Sequence, residues 1–313
     1  MHMSITDSVK LDLYRAMVRI RTFENGIRTL MNEGKIGHVS FYTGGEAVAA
    51  AVSAHLVKED QIGSSHRPMG HLVAKGADLK KMMAEIAAKS TGTNKGKGGA
   101  YHIFDKEVGA LGANGIVGGS VPMTAGYALR NQIKKTDNVA ISYFGEGASN
   151  QGGVQETLNL AACWKLPMVF VCENSSPEEQ TMLGHKIDYP QLSISDISLR
   201  APAYGMPGGS SNGWEVEEVY KIAGEGVERA RKGDGPTLLE FKIHRLNADE
   251  DSEYCPIKCY RDKLMMENVL TEELDEKIRS EEAAEVKEAM DYAMGSPEPE
   301  PIDAFDDIFV GGN

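Results

Sequence analysis

VAISYFGEGASNQGGVQETLNLAACWKLPMVFVCENS, residues 139–175, is the stretch that decides the fold. Its first six residues, 139–144, are apolar and rich in β-branched and aromatic types, which predicts a buried strand. After a glycine turn, a helix is predicted over residues 149–164, and Pro167 separates it from a second buried strand at 168–172. Strand, helix and strand in this order predict a right-handed βαβ unit. The fold is therefore expected to be α/β, with a mostly parallel sheet flanked by helices.

Polar residues follow both predicted strands and would meet at one edge of the sheet. Glu146 comes after the first strand, and Glu173, Asn174 and Ser175 come after the second. Ligands of open α/β sheets bind at the carboxyl ends of strands, and a helix N-terminus at that edge favours phosphate. Carboxylate, amide and hydroxyl oxygens suit Mg²⁺, whose coordination is completed by water and phosphate. The residues alone leave two interpretations open, a magnesium–diphosphate site and a solvated turn after a core strand.

The glycine spacings are less specific than this set of oxygen atoms. Gly145 and Gly147 do not continue into a dinucleotide-binding fingerprint, because Asn150 occupies the position of the third glycine. The glycine-rich residues 92–98 are not a phosphate-binding P-loop, since neither serine nor threonine follows Lys97. Neither stretch identifies a nucleotide site by itself.

Length and composition exclude several classes of protein. With 313 residues the chain can bury a large core, and its net charge of −13 argues against a general nucleic-acid binder, which needs a basic face. The same charge gives no support for docking on anionic membranes, and the apolar runs are too short to span a bilayer. The N-terminus lacks the apolar core of a signal peptide, and the four cysteines lack zinc spacing. We expect a cytoplasmic protein that binds neither nucleic acid nor membranes.

A further group of candidate residues follows a short strand predicted before residue 65. His66, Arg67 and His71 are close together in sequence. Arginine suits phosphate recognition, and histidine suits proton transfer near neutral pH. Three such side chains in one loop favour a binding site over the alternative, an ordinary surface loop.

Gly145-Glu146-Gly147 followed by Asn174-Ser175 resembles the Gly-Asp-Gly and Asn-Asn motif of thiamine diphosphate enzymes, at matching spacing. With the segments GASNQG, ETLNLAACWKLP and VFVCEN, the chain resembles the alpha subunit of the thiamine diphosphate-dependent 2-oxo acid and acetoin dehydrogenase components. The likeness covers nearly the whole chain. It implies the thiamine diphosphate-binding fold, with N-terminal helical and C-terminal helix and tail extensions. It also implies thiamine diphosphate and Mg²⁺ as cofactors.

The resemblance further implies roles for individual residues. It implies that thiamine diphosphate is bound by His66, Arg67, Gly115, Val117, Gly145, Glu146, Gly147, Ala148 and Asn174. Mg²⁺ would be held by Glu146, Ser175 and the backbone carbonyl of Pro177. His66 and His71 are the implied catalytic residues.

The partners implied by the resemblance are a beta subunit, in an α2β2 heterotetramer, and a lipoyl-bearing acyltransferase. In the family the beta subunit supplies the glutamate that activates the cofactor, so this chain is expected to be active only with that partner. The implied enzyme is an oxidoreductase of the 2-oxo acid or acetoin dehydrogenase type. It would decarboxylate or cleave a 2-oxo acid or an acyloin oxidatively and pass the acyl group to lipoyl or another acceptor.

Several residues depart from the family's pattern. Met69 and Asp249 stand where the family carries histidines, and we expect Met69 to leave the substrate pocket drier and differently shaped. Glu146, Ser175 and Pro177 replace Asp, Asn and Tyr; they keep oxygen donors but change their reach, which predicts weaker Mg²⁺ binding. These departures favour two alternatives. One is another thiamine-dependent carboligation or lyase reaction on the same fold, and the other is a degenerate structural subunit that assembles without catalysing.

The domain organisation is expected to be simple. Residues 1–270 would form one thiamine diphosphate-binding α/β domain that begins with helices. Residues 271–313 would add a charged helix and an acidic, proline-containing tail, whose apolar residues Phe305 and 308–310 suggest docking on a partner. Residues 175–213 are predicted to be a long irregular stretch.

Overall fold

A parallel β-sheet forms the centre of the computed structural model, which describes residues 5–175, 181–182, 185–186, 192–194, 196–246 and 251–306. The six strands of this sheet are β1 (Gln61–Ser64), β2 (Ala110–Ala113), β3 (Ala140–Gly145), β4 (Met168–Ser175), β7 (Gly208–Asn212) and β8 (Thr237–Ile243). Their order is β2-β1-β3-β4-β8-β7, and every neighbouring pair is parallel. Two short strands, β5 (Thr181–Met182) and β6 (His185–Lys186), form a separate antiparallel pair. The predicted α/β fold with a mostly parallel sheet is confirmed.

Nine α-helices occur in the described part of the chain. They are α1 (Asp7–Asn32), α2 (Glu46–Ser53), α3 (Met69–Ala74), α4 (Leu79–Ile86), α5 (Ser120–Lys134), α6 (Gly152–Trp164), α7 (Val216–Arg231), α8 (Pro256–Met266) and α9 (Glu272–Gly295). Local sequence sets several of their boundaries. The Thr6 side chain accepts the amide of Val9 at the start of α1, and Pro256 opens α8. Lys135 and Lys165 end α5 and α6 in the left-handed conformation.

The two faces of the sheet pack into separate apolar layers. On β4, Val169 and Val171 enter a layer with helices α1 to α4, whereas Phe170 and Cys172 enter a layer with α5 and α6. This alternation follows from the pleat of a strand, in which successive side chains point to opposite faces. Helix α9 joins the first layer, where it packs against α1 and α4.

Strand β4 is longer than the predicted 168–172. It includes Glu173, Asn174 and Ser175, because its pairing with β8 continues as far as Ser175 opposite Ile243. The expectation that these polar residues follow the strand is therefore wrong. As members of the strand they point alternately to its two faces, which decides which of them can reach a ligand.

The segments around this strand also differ from the prediction. Helix α6 begins at Gly152, and a separate 3₁₀ turn, Ala148–Asn150, precedes it. Residues 175–213 are not irregular throughout, since they contain a 3₁₀ helix, Ile197–Tyr204, and the edge strand β7. Strand β7 pairs with β8, and the 3₁₀ helix packs against both strands, so these features depend on contacts that the local sequence does not show.

One carboxylate organises the glycine-rich loop after α4. Glu85 is fully buried and accepts the backbone amides of Asn94, Gly96, Gly98 and Gly99 at 2.7–3.1 Å. The φ angle of Gly96 is +77°, and a Cβ atom there would lie 2.7 Å from neighbouring backbone. The loop therefore needs glycine at this position.

Other sequence predictions concern the membrane, the cysteines and the loops outside the described ranges. None of the helices in the described part of the chain combines the length and hydrophobicity that a membrane span needs. All four cysteines are free thiols. Pro177, Asp249 and the tail residues 308–310 lie outside the described residues.

Candidate active site

A cavity of about 400 Å³ opens at the carboxyl edge of the sheet. It is lined by residues that follow β1, β2, β3 and β8 and by the last residues of β4. From β1 the chain passes to β2 on one side, and from β3 it passes to β4 on the other, so the cavity lies where the strand order reverses. This is the place where open α/β sheets bind ligands, and the volume is that of a small-molecule pocket.

Most residues singled out by the sequence line this cavity. They are His66, Arg67, Val117, Gly145, Glu146, Gly147, Ala148 and Ser175. His71, Gly115 and Asn174 lie outside its lining, and Pro177 lies outside the described residues. The strand ends therefore bring the predicted diphosphate and metal residues together, whereas His71, Gly115 and Asn174 have other surroundings.

Glu146 and Ser175 form one corner of the cavity. The Oε2 atom of Glu146 accepts the backbone amide of Ser175 at 3.1 Å, across the neighbouring strands β3 and β4. A carboxylate and a serine hydroxyl are both hard oxygen donors. Among the described residues, no group of three or more His, Cys, Asp or Glu side chains could hold a metal. A cation in this corner would therefore take few protein ligands and complete its shell with water and phosphate, as Mg²⁺ does.

Two arginines line the cavity, and each is anchored to a backbone carbonyl. Arg67 donates to the carbonyl of Phe41 at 2.6 Å, and Arg245 donates to that of Tyr42 at 3.2 Å. His66 lies in the same lining, where burial and the charges of both arginines lower the pKa of its imidazole. The cavity thus offers two positioned guanidinium groups and a neutral ring, which suits a diphosphate group.

Glu173 is a buried carboxylate that also lines the cavity. Its Oε1 atom accepts the hydroxyl of Tyr42 and lies 3.2 Å from Nε2 of His71. His71 in turn has Nδ1 2.8 Å from the hydroxyl of Ser64, and its ring stacks on Tyr143 with centroids 3.7 Å apart. Burial acts to raise the pKa of Glu173, but the charge and hydrogen bond of His71, with a neighbouring arginine and Tyr42, outweigh it and lower that pKa.

His71 differs most from its sequence prediction. It belongs to helix α3 rather than to the loop that carries Arg67, and its side chain is fully buried between two tyrosine rings. It does not line the cavity itself but contacts two residues that do, Glu173 and Tyr143. Met69, at the start of the same helix, is fully buried in the core. The expectation that Met69 shapes the pocket is therefore wrong for the cavity of this chain.

Asn174 lies on the opposite face of β4 from Glu173. Its Nδ2 atom donates to Glu240 at 2.7 Å, and the other oxygen of Glu240 accepts the backbone amide of Ser198 at 2.9 Å. The Oδ1 atom of Asn174 has no hydrogen-bond partner among the described residues. The side chain therefore supports the sheet from behind the cavity instead of lining it.

An apolar part of the cavity wall follows β2. Ile116 and Val117 line it and remain 72% and 51% exposed. Gly118 has a φ of +76°, and a Cβ atom there would lie 2.9 Å from Val154 in α6, so this wall sits close against that helix. Gly115 lies beside the wall, where its own neighbours in sequence provide the lining. Exposed apolar side chains beside a cavity are typical of a surface that a ligand or partner covers.

Doubly wound α/β enzymes hold phosphate-bearing cofactors at this edge of the sheet, and this cavity has the charges for one. Comparison with known proteins shows which family of enzymes the chain belongs to. The chain belongs to the dehydrogenase E1 component family, whose model matches residues 14–302. The family resemblance predicted from the sequence is confirmed.

Named relatives cover nearly the whole chain. The alpha subunit of acetoin:2,6-dichlorophenolindophenol oxidoreductase from Bacillus subtilis is 40% identical over 98% of this chain and 96% of its own length. The subunit of the same name from Cupriavidus necator is 38% identical over 96% of this chain and 94% of its own. The alpha subunit of the pyruvate dehydrogenase E1 component from Rhizobium meliloti is 34% identical over 96% of this chain and 90% of its own length.

Glu173 and Arg245 line the cavity, and the family resemblance implies a role for neither of them. Arg245 comes two residues after the end of β8, and this position at a carboxyl strand end is the signal that could have identified it. In the sequence, Glu173 stands in one run of polar residues with Asn174 and Ser175. Only the observed length of β4 separates the three by face.

Proposed function

We propose that this chain is the alpha subunit of a thiamine diphosphate- and Mg²⁺-dependent dehydrogenase that acts on a 2-oxo acid or an acyloin. Membership of the dehydrogenase E1 family and relatives named as acetoin and pyruvate enzyme subunits support this function. The observation that carries it is the cavity, where the Glu146–Ser175 corner shares a lining with Arg67 and Arg245.

The residues present fit such a cofactor. When bound, thiamine diphosphate supplies a nucleophilic carbon and an electron sink. Arg67 and Arg245 would bind its diphosphate, and the backbone of Gly145 to Ala148 would approach the phosphates closely. Glu146 and Ser175 would hold Mg²⁺, with the carbonyl of Pro177 as a further ligand.

The apolar wall would hold the cofactor's aminopyrimidine ring. Gly115 and Val117 would contact it through their backbone, as the family resemblance implies. His66, which reaches the cavity, would accept or donate protons there, helped by an imidazole pKa that burial and the arginines lower. His71 would act on the cavity indirectly, through the carboxylate of Glu173 and the ring of Tyr143.

The partners follow from the subunit type. Relatives named as alpha subunits imply a beta subunit. We propose an α2β2 assembly in the cytoplasm with a lipoyl-bearing acyltransferase as the acyl acceptor. The exposed Ile116 and Val117 support a partner that covers the cavity. Residues 1–270 would form the cofactor-binding domain, and residues 271–313 would add a helix and an acidic tail that docks on another subunit.

One observation favours the alternatives. His71 and Met69 both point into the core, so the helix after β1 gives the cavity no further histidine beyond His66. A different thiamine-dependent carboligation or lyase reaction passes no acyl group to lipoyl, so it does not need the acid–base groups of that transfer. A structural subunit without catalysis needs none.

Calorimetric titration of thiamine diphosphate with Mg²⁺, on the chain co-expressed with its beta subunit, tests the proposal. We expect one cofactor to bind per alpha–beta pair. Turnover of pyruvate or acetoin with an artificial electron acceptor then separates the dehydrogenase from the alternatives. Ser175→Asn is expected to tighten Mg²⁺ binding, because its longer side chain restores the reach of an amide oxygen. A folded assembly that binds no cofactor would refute an enzymatic role.

A further inference from the structure

The loop that carries Glu146 is held at two points. At its carboxylate end, Oε2 of Glu146 accepts the amide of Ser175. At its backbone end, the carbonyl of Glu146 accepts both the amide of Ser149, at 3.1 Å, and the hydroxyl of Ser149, at 2.6 Å. The orientation of Glu146 toward the cavity therefore depends on where Ser149 is fixed.

Arg200 fixes Ser149 from outside the cavity. One guanidinium nitrogen of Arg200 donates to the carbonyl of Ser149 at 2.8 Å and lies 3.2 Å from its hydroxyl oxygen, and the other donates to Oδ1 of Asn150 at 3.1 Å. Gln155 donates to the same Ser149 carbonyl, and Tyr204 donates to Gln155. The planar guanidinium spans two consecutive residues of the turn, which an ammonium group cannot do.

The element that carries Arg200 is itself tied to the sheet. Arg200 lies in the 3₁₀ helix Ile197–Tyr204, where the amide of Ser198 donates to Glu240 on β8. The same carboxylate accepts Asn174 on β4. Arg200 thus links the turn after β3, which begins with Glu146, to the end of β4, which carries Ser175.

We infer that Arg200 is a positioning residue for the magnesium corner, acting through Ser149 to set the distance between the Glu146 carboxylate and Ser175. The inference rests on the proposed function, because it concerns the same site. Outer groups that orient metal ligands typically change metal affinity by about 10–100-fold when they are removed. Glu146 needs such support because it is one methylene longer than the aspartate of the family motif, so its carboxylate has an additional rotatable bond.

The test is a titration of Mg²⁺ into the full chain, co-purified with its beta subunit, at saturating inorganic diphosphate. We expect Arg200→Met to weaken Mg²⁺ about tenfold, and Arg200→Lys to give an intermediate loss because lysine keeps only one contact. Ser149→Ala removes one hydroxyl and should weaken Mg²⁺ in the same direction. Arg229→Met, which removes a guanidinium donating to the carbonyl of Asp234 far from the cavity, is the matched control and should leave Mg²⁺ binding unchanged.

Diphosphate affinity without Mg²⁺ separates positioning from general damage. A positioning role predicts that Mg²⁺ binding falls while metal-free diphosphate binding and the thermal midpoint of the apoprotein stay close to wild type. If Arg200→Met does not fold, the Mg²⁺ affinity of Ser149→Ala tests the positioning role instead. Wild-type Mg²⁺ affinity in Ser149→Ala and in every folded Arg200 variant would overturn the inference alone. A wild-type assembly that binds neither Mg²⁺ nor diphosphate would overturn the proposed function and the inference with it.

Discussion

Glu173 and Asn174 are consecutive residues of β4, yet they belong to two different buried networks. Glu173 faces the layer of α1 to α4, where Tyr42 and His71 hold its carboxylate beside the cavity. Asn174 faces the layer of α5 and α6, where it donates to Glu240 behind the cavity. Both side chains are almost fully buried, so burial does not distinguish them. The pleat of the strand does, because one residue along it decides whether a polar side chain faces the ligand or supports the fold.

Removing the carboxylate on the cavity side is expected to have the largest effect. In Glu173→Ala, the hydroxyl of Tyr42 and the imidazole of His71 lose their acceptor inside the core. A buried unpaired group costs about 1–3 kcal/mol, so we expect the free energy of unfolding in urea to fall by about 3 kcal/mol. Glu240→Ala is the control on the other face and should cost a similar amount by unpairing two donors. An unchanged unfolding midpoint for Glu173→Ala would show that its network adds no stability.

The next effect concerns ligand binding on the cavity side. Arg67→Met removes a guanidinium from the cavity lining, and the affinity for inorganic diphosphate should fall about 30-fold, since a hydrogen bond to a charged group is worth about 2 kcal/mol. Arg28→Met is the matched control, because that guanidinium stacks on Phe41 at 3.6 Å and donates to Thr43 outside the cavity lining. Equal calorimetric affinities in the two variants would contradict the assignment of Arg67.

A smaller effect should appear in the pH dependence of binding. Burial and the two arginines hold the pKa of His66 below its ordinary value of 6.5, and a bound anion would raise that pKa. Binding should therefore take up a proton, and the affinity for inorganic diphosphate should increase as the pH falls. Between about pH 7.5 and about pH 5.5, the part due to His66 should be about threefold.

His66→Gln provides the control for this measurement. Protonation of the diphosphate itself is common to both proteins, so the difference between their calorimetric titrations isolates the imidazole. Repeating the titrations in buffers with different ionisation enthalpies counts the protons taken up. The same proton count in wild type and His66→Gln would exclude this role for the ring.

The smallest effect is expected on the far face of β4. Asn174→Ala should change the affinity for inorganic diphosphate by less than about twofold, because the side chain lies outside the cavity lining. Stability should fall by about 1 kcal/mol, since Glu240 keeps the amide of Ser198 as a partner. A large loss of diphosphate binding would instead support the direct contact with the cofactor that the family motif implies for Asn174.

The sequence predicted the elements whose signals are local. The sequence pattern of residues 79–89 and that of residues 271–294 each predict a helix. The structure has these helices at Leu79–Ile86 and Glu272–Gly295, where Asp78 and Thr271 cap their starts. Strand β7 was not predicted because its sequence, GGSSN, has low strand propensity and is held by pairing with β8. Its position is a tertiary effect that a window of neighbouring residues does not contain.

The candidate site also combines features with local signals and features that depend on tertiary contacts. The position of the site at the carboxyl edge of the sheet could be predicted, because Glu146 and Arg67 follow predicted strands. The face on which each residue of β4 points could not, since it depends on where pairing with β8 ends. His71 reads as a loop residue, yet Tyr143 and Glu173, distant in sequence, enclose it in the core.

The single carboxylate of Glu85 has a consequence for hydrogen–deuterium exchange. The four loop amides that it accepts lose their acceptor together when this side chain leaves, so they should exchange through one shared opening with one protection factor. Glu85 lies only 9 to 14 residues before these amides, so closing the loop costs little chain entropy. It can therefore form early in folding, before the distant strands of the sheet have met.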